Sequence, residues 1–446
     1  MTADSLVSRL AEHGLDEMES ARKRLLSELV LDRFTQTGGG APAAAVWVPG
    51  RIEVFGKHTD YAGGHSLVAP VPRGFVFAAK PRAGGTVSID DAARGERIDI
   101  DLDARVDESA QPAGTGWSRY ATTTVRRLQR NFPGASLGAD VVFASDLPPS
   151  SGMSSSSALI VGMAAILVRL GGIEQRTEWQ SAIRSAADAA GYYACIENGL
   201  GFGSLTGDAG VGTHGGSEDH AALTCGRAGH LSAWRFVPIH HVADVAVPAA
   251  WQFVIASSGV AAKKTGGAQD AYNRLSFQVR ALLELWNATE PAAPSLRAAL
   301  SAGPGALERL TARVRERHGD SSELERRLTH FLNEDARAVE AVGAFRESRR
   351  DRIASLSSDS QSDAESLLQN QVPETTALAH RARALGAFGA SSFGAGFGGS
   401  VWALVQKSDA ADFAARWLAD YRREFPAREA ATVFMAPPGP SLTWLA

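Results

Sequence analysis

A chain of 446 residues is longer than one compact core usually holds, so two domains or one large composite fold is expected. Hydrophobic residues at 44% and charged residues at 21% are ordinary globular composition and give no sign of disorder. The formal net charge of −4 and pI near 6.3 lack the basic footprint that nucleic-acid or anionic-membrane binding requires, which leaves small molecules as the expected partners.

The N-terminal stretch MTADSLVSRLAEHGLDEMESARKRLL mixes acids and bases at helical intervals, and no apolar run reaches about 18 residues, so a soluble cytoplasmic chain is expected. Cys195 and Cys225 are too few for a disulfide framework and lack metal-ligand spacing. Leu6, Leu10, Leu15 and Met18 predict a helical lead-in over residues 4 to 34, ended by Gly38, Gly39, Gly40, Ala41 and Pro42. AAAVWVPGRIEVFG then reads as a strand, a Pro-Gly break and a second short strand.

That second strand runs into GKHTDYAGG, a turn dense with polar and ring side chains. Arg51, Lys57, His58 and Asp60 fall within ten residues and are followed by Tyr61, Gly63 and Gly64, a grouping that suits a small polyol. Residues 66 to 102 read as a sheet, residues 117 to 131 as a helix and residues 139 to 145 as a strand.

PSSGMSSSS, residues 149 to 157, precedes a helix so apolar that it must be buried on most sides. Unpaired N–H groups at a helix start attract phosphate, small side chains let it approach, and the hydroxyls lie within possible reach of magnesium. A flexible Ser-rich linker is the other reading of this loop alone. After a helix over residues 176 to 198 comes GLGFGSLTGDAGVGTHGG, too long for an ordinary turn. Strands are expected at AALTC, GHLSAWRFV and WQFVIASSG, then a helix over residues 268 to 288, a Pro/Ala-rich patch and a run of polar helices. GAGFGG, residues 394 to 399, has the spacing of a dinucleotide fingerprint but is followed by the strand pattern SVWALVQ, so that reading is rejected; no P-loop motif is present.

VPGRIEVFGKHTDYAGG resembles the galactokinase signature PGRxNLIGEHTDYNxG, LPPSSGMSSSSA resembles the PxxxGLSSSA phosphate loop of the GHMP kinases, and GASSFGAGFGG is similar to their third motif. WSRY at 117 to 120, SGVAAKKTGGAQDAYNR at 258 to 274 and VPE at 372 to 374 are looser matches to galactokinase segments. The chain is therefore identified as a resembling member of the GHMP kinase superfamily, in its galactokinase-like branch. The resemblance implies an α/β (α+β) two-domain fold, with an N-terminal domain over residues 1–230, a C-terminal domain over residues 231–446 and the active site between them.

The resemblance also implies an ATP- and magnesium-dependent kinase for the anomeric hydroxyl of galactose or a related hexose. Asp219 would accept or steer the hydroxyl proton, and Arg51 would stabilise the oxyanion or keep Asp219 ionised. Ser151, Gly152, Met153, Ser154, Ser155, Ser156 and Gly396 are implied at ATP, and Ser156 with Glu197 at magnesium, Ser155 being the neighbouring alternative. Lys57, His58, Asp60, Gly216 and Tyr272 are implied at the sugar, while His240 and His241 are read as structural.

Three departures stand out. Lys57 replaces the family's Glu, which is expected at the C6 hydroxyl, so a C6-modified sugar such as a uronic acid is an alternative substrate. Glu53 and His220 replace the family's Asn and Gln, and 22 residues separate Glu197 from Asp219, roughly ten more than the family pattern. A non-catalytic sugar and ATP sensor is the rival from another class, and a kinase for a non-sugar alcohol is disfavoured by the HTDY turn.

Overall fold

The structure, a computed structural model, describes residues 1–37, 40–104, 114–149, 151–261 and 267–446. Gly38 and Gly39 of the predicted helix stop, Ser150 of the Ser-rich loop and residues 262–266 of the segment before Tyr272 lie outside them. The strands are β1 (Ala44–Phe55), β2 (His65–Pro81), β3 (Thr86–Asp91), β4 (Glu96–Asp101), β5 (Ala139–Ser145), β6 (His230–Arg235), β7 (His240–Ala246), β8 (Trp251–Ser257), β9 (Gly389–Phe393), β10 (Ser400–Gln406), β11 (Thr432–Met435) and β12 (Thr443–Trp444).

Among the described residues, eight of these make one sheet in the order β12-β1-β2-β5-β3-β4, with β6 on β2 and β7 on β6, and four make a second in the order β11-β8-β10-β9. Among the described residues only the β3 and β5 pair is parallel. The long β2 serves two partners, β6 along its first residues and β5 along its last.

β1 is one continuous buried strand, not two. The Pro-Gly break survives as a register shift between Pro49 and Arg51, where a Pro is tolerated because the ladder is already interrupted. AALTC is a helix, Glu218–Cys225, instead of a strand. An apolar run this short does not reveal its period, and the acids Glu218 and Asp219 favour a helix start, while Ala221 and Ala222 pack on Val68 and Trp234.

The lead-in is two helices, Ala3–Glu12 and Glu17–Gln36, capped by Thr2 and Asp16. Leu6, Leu10, Val30 and Phe34 cover Trp47 and Val76 of the sheet, whereas Met18 is exposed. β7 carries His240 and His241 and went unread, because its side chains are mostly exposed and its pattern is polar. Since β6 and β7 extend the larger sheet to residue 246, a division at residue 230 would cut through β6; we propose the division between β7 and β8.

The apolar helix Ser155–Leu170 is buried at every position from Ser157 to Val168. It lies on the sheet so closely that a Cβ at Gly162 would stand 2.1 Å from Phe77 Cε2, inside the ring cluster of Phe75, Phe77 and Phe143. Alanine normally favours a helix over glycine by about 1 kcal/mol, but overpacking a dense core costs about 1–3 kcal/mol. Gly162→Ala is therefore expected to lower the urea unfolding midpoint, and a raised midpoint would refute this packing.

Candidate active site

Arg51 leaves β1 just past the register shift and is buried at 4% exposure. Its Nε lies 2.7 Å from Asp219 Oδ1, Nη2 lies 2.7 Å from the same oxygen, and Nη1 donates to Gly152 O at 2.6 Å. Its backbone N–H donates to Met153 O at 3.3 Å. One residue thus joins the strand, the Ser-rich loop and the helix Glu218–Cys225. Burial opposes its charge, but Asp219, Glu218 and Glu53 outweigh that penalty and raise its pKa further.

Ser157, at the start of the apolar helix, donates to Glu197 Oε2 at 2.8 Å and stands 3.3 Å from Asp219 Oδ2. With one proton to give, it serves Glu197 better. His220 Nε2 comes within 3.3 Å of Glu197 Oε2, but neither ring nitrogen has an aligned hydrogen bond among the described residues.

Two cavities meet here. A polar pocket is walled by Glu53, His58, Asp60, Tyr61, Asn198, Gly216, Glu218 and Tyr272, and a wider cleft of about 540 Å³ by Trp117, Tyr120, Phe143, Leu159 and Ser154 to Ser156. Arg51, Asp219 and Ala395 line both. In the cleft, Ser154 stands before the helix in a left-handed conformation and supplies no side-chain cap, so the first helical N–H groups remain open. Ser151 Oγ and Ser154 Oγ are buried without a partner among the described residues, as donors awaiting an anion would be. Ser156 bonds the Tyr120 hydroxyl, whose pKa burial pushes up to about 12.

The polar pocket is closed from beneath by the helix Glu323–Arg346, whose Arg327, Glu334 and Asp335 share one face at helical spacing. Arg327 donates to His58 O at 2.6 Å and to the Tyr61 hydroxyl at 3.1 Å, and Tyr61 stands 2.9 Å from His58 Nδ1. Since His58 Nε2 faces Ala395 O at 3.3 Å, we assign its proton to Nε2. Glu334 Oε1 accepts from the N–H groups of Gly56 and Lys57, and Asp335 from the N–H of His65. Asp60 accepts from Tyr61 and Glu218 N–H, and a Cβ at Gly216 would strike Asp60 Oδ2 at 2.2 Å, which explains a glycine there.

The Gly-rich stretch after Glu197 folds back on the helix end: Asp208 N donates to Gly199 O and Val211 N to Glu197 O. A Cβ at Gly207 would meet Gly199 O at 2.4 Å, so the fold-back needs glycine. Buried Arg127 ties it down through Asp208 and Leu200 O. After this fold-back, Thr213, Gly215 and Gly216 stand on the pocket wall.

Three expectations are corrected. Lys57 does not face the pocket: its Nζ bonds Ser360 Oγ at 2.5 Å and Ser391 Oγ at 2.9 Å and lies 3.8 Å from Glu334, all buried. It neutralises Glu334, so it reads no sugar substituent. Gly396 packs on Asn370, where a Cβ would come within 2.4 Å, and Ala395 takes its place on the cleft wall. Met153 points its side chain into the core and contributes only its carbonyl. Arg51, His58, Asp60, Gly216, Tyr272, Glu197 and Asp219 are brought together on the pocket, and Ser151, Gly152, Ser154, Ser155 and Ser156 on the cleft. Glu218, Ser157, Arg327 and Glu334 were missed as site residues, the last two because they come from a distant polar helix with no local signature.

Residues 32–81 match the galactokinase galactose-binding signature, residues 119–204 the GHMP kinase N-terminal domain and residues 341–423 the GHMP kinase C-terminal domain. A galactokinase of Streptomyces coelicolor is 28% identical over 388 residues, covering 84% of this chain and 88% of its own, and one from a Roseiflexus species is 26% identical over 86% and 88%. Lactococcus lactis galactokinase complexed with galactose shares the fold with a TM-score of 0.76 at 22% identity, covering 94% of this chain and 99% of that one. Methanococcus jannaschii mevalonate kinase does so at 0.56 and 13%, covering 90% and 99%. The chain has the fold of the GHMP kinases and matches that superfamily's N- and C-terminal domains. Its signature and its curated relatives are those of the galactokinase-like branch of that superfamily. No helix of the described residues is long and apolar enough to cross a membrane.

Two outcomes follow from the buried charges. Lys57→Glu sets a carboxylate against Glu334 and is expected to cost about 3–5 kcal/mol, more than Lys57→Met, in thermal unfolding; equal losses would contradict the pairing. Burial and the nearby Glu334 raise Glu53 to about 7, against the favourable pull of Arg51, Lys57 and Gly394 N–H. The folded chain then holds a proton between pH 4.5 and about 7 that the unfolded chain has released, so stability falls as pH rises through that window. Relative to Glu53→Gln, the wild type should lose on the order of 3 kcal/mol across it, whereas parallel stability curves would exclude this protonation.

Proposed function

We propose that the protein transfers the γ-phosphoryl group of ATP to the anomeric C1 hydroxyl of galactose. The observation that carries this reading is the Arg51 and Asp219 pair at the junction of a polar pocket and a wider cleft with an open helix start. Phosphoryl transfer needs positioning and charge neutralisation more than covalent chemistry, and both cavities serve it. The phosphates would lie on the N–H groups of Ser155, Ser156 and Ser157 and on the hydroxyls of Ser151 and Ser154, which have no partner among the described residues, with the base against Trp117, Phe143 and Leu159.

Asp60, His58 and Tyr272 would orient the ring so that its C1 hydroxyl meets Asp219. Arg51 Nε and Nη2 both stand 2.7 Å from Oδ1, and Oδ2, 3.3 Å from the Ser157 hydroxyl, would receive the hydroxyl proton. Arg51 stands beside the oxygen that gains charge. Glu197 and the hydroxyls of Ser156 and Ser157 offer the oxygen donors magnesium takes, and would hold it against the ATP phosphates, where it would neutralise their charge when bound.

A uronate is disfavoured, since Lys57 is engaged elsewhere and the pocket wall is already acidic. A coupled assay with ATP and magnesium over galactose, galacturonate and other hexoses is expected to show galactose turned over and galacturonate not. Asp219→Asn is expected to lower kcat by about 10²–10⁴ while calorimetry still detects both substrates. Binding without turnover in the wild type would instead make the protein a sensor.

A further inference from the structure

Among the described residues, the polar pocket holds more carboxyl groups than a neutral sugar needs. Its wall holds Glu53, Asp60, Glu197, Glu218 and Asp219 against the guanidinium of Arg51, which is committed to Asp219 and Gly152 O. Lys57 reaches Glu53 only through its field, because its ammonium is bonded away from the pocket. Asp60 accepts two backbone N–H groups, and Glu197 accepts from Ser157.

Glu53 and Glu218 are different. Each anchors one oxygen, Glu53 Oε2 on the Gly394 N–H at 2.7 Å and Glu218 Oε2 on the Ser66 hydroxyl. For the second oxygen of each, no hydrogen-bond donor exists among the described residues; Arg51 Nε stands 3.8 Å from Glu218 Oε1. Both residues are at least nine-tenths buried, at 2% and 5% exposure, and both line the pocket. Burial, with repulsion from Glu53 and Asp60, holds Glu218 well above the usual carboxylate range, and burial raises Glu53, so a cation placed between them would favour the charged form of both.

Their placement says where the cation would sit. Glu53 follows Arg51 by two residues on β1, so the two side chains leave the same face of the strand, and Glu218 adjoins Asp219. Arg51 and Asp219 mark the reacting hydroxyl, and Glu53 and Glu218 therefore flank the substituent next to it, which on a hexose phosphorylated at C1 is the C2 group.

We propose that this site takes a 2-amino-2-deoxyhexose, its C2 ammonium held between Glu53 and Glu218. The assignment rests on the sugar 1-kinase reading and names the substrate class of that same pocket. A hydroxyl at C2 offers one donor and no charge, whereas an ammonium offers three donors and neutralises the pair.

The test is a coupled assay with ATP and magnesium at about pH 7, comparing galactose, 2-amino-2-deoxygalactose and its N-acetyl derivative on the wild type. The amino sugar is expected to exceed galactose in kcat/KM by at least about tenfold, an advantage that N-acetylation, which removes the charge, abolishes. Glu53→Gln and Glu218→Gln should each shift the amino-sugar to galactose ratio toward galactose by about tenfold or more. Galactose turned over better than the amino sugar overturns this proposal and leaves the kinase reading standing. Turnover of no sugar overturns both, and because the wild-type comparison needs no variant, misfolding of either variant does not decide the matter.

Discussion

The site depends on one guanidinium. Arg51 holds Asp219 by two bonds, takes Gly152 O with its remaining arm and gives its own N–H to Met153 O, so strand, Ser-rich loop and helix start are fixed relative to one another through a single side chain. Such bonds are strong because both partners are charged or polarised and little water competes. The register shift between Pro49 and Arg51 makes the arrangement possible, since a regular strand would carry the loop contact at a different height. A Cβ at Gly50 would stand 2.8 Å from Met153 O, so the approach also needs a residue without one.

The charged turn is held by a second device, the helix Glu323–Arg346. Arg327, Glu334 and Asp335 grip the turn from Gly56 to His65 by its backbone, which fixes the conformation without occupying the pocket. Lys57 belongs to this device. It supplies, with Arg337, the positive charge that a buried Glu334 requires, and together they keep Glu334 below the usual carboxylate range despite its burial. An exchange of charge at position 57 is thus matched by charge on a helix some 277 residues away in sequence.

The apolar helix behind the phosphate loop gives the cleft its rigidity. With twelve successive buried positions from Ser157 to Val168 it cannot rotate or slide without exposing core, so the N–H groups at its start stay aimed at one place. The loop's conformational cost is met by that burial and by packing against the Gly394 turn, where a Cβ would lie 2.7 Å from Gly152 O.

Much of this was legible beforehand for local reasons. The buried helix followed from an uninterrupted apolar run, the rejection of a dinucleotide site from the strand pattern after GAGFGG, and the grouping of Arg51, His58 and Asp60 from their closeness along the chain. Short-range patterns determine such features because the forces that set them act between neighbours. What only the tertiary structure decided were side-chain directions and partners distant in sequence: that Lys57 turns to Glu334, that Ser157 and not its neighbours reaches Glu197, that Glu218 joins Glu53 on one wall. A charge in a sequence has no direction. Its meaning was set by which opposite charge the fold buried beside it.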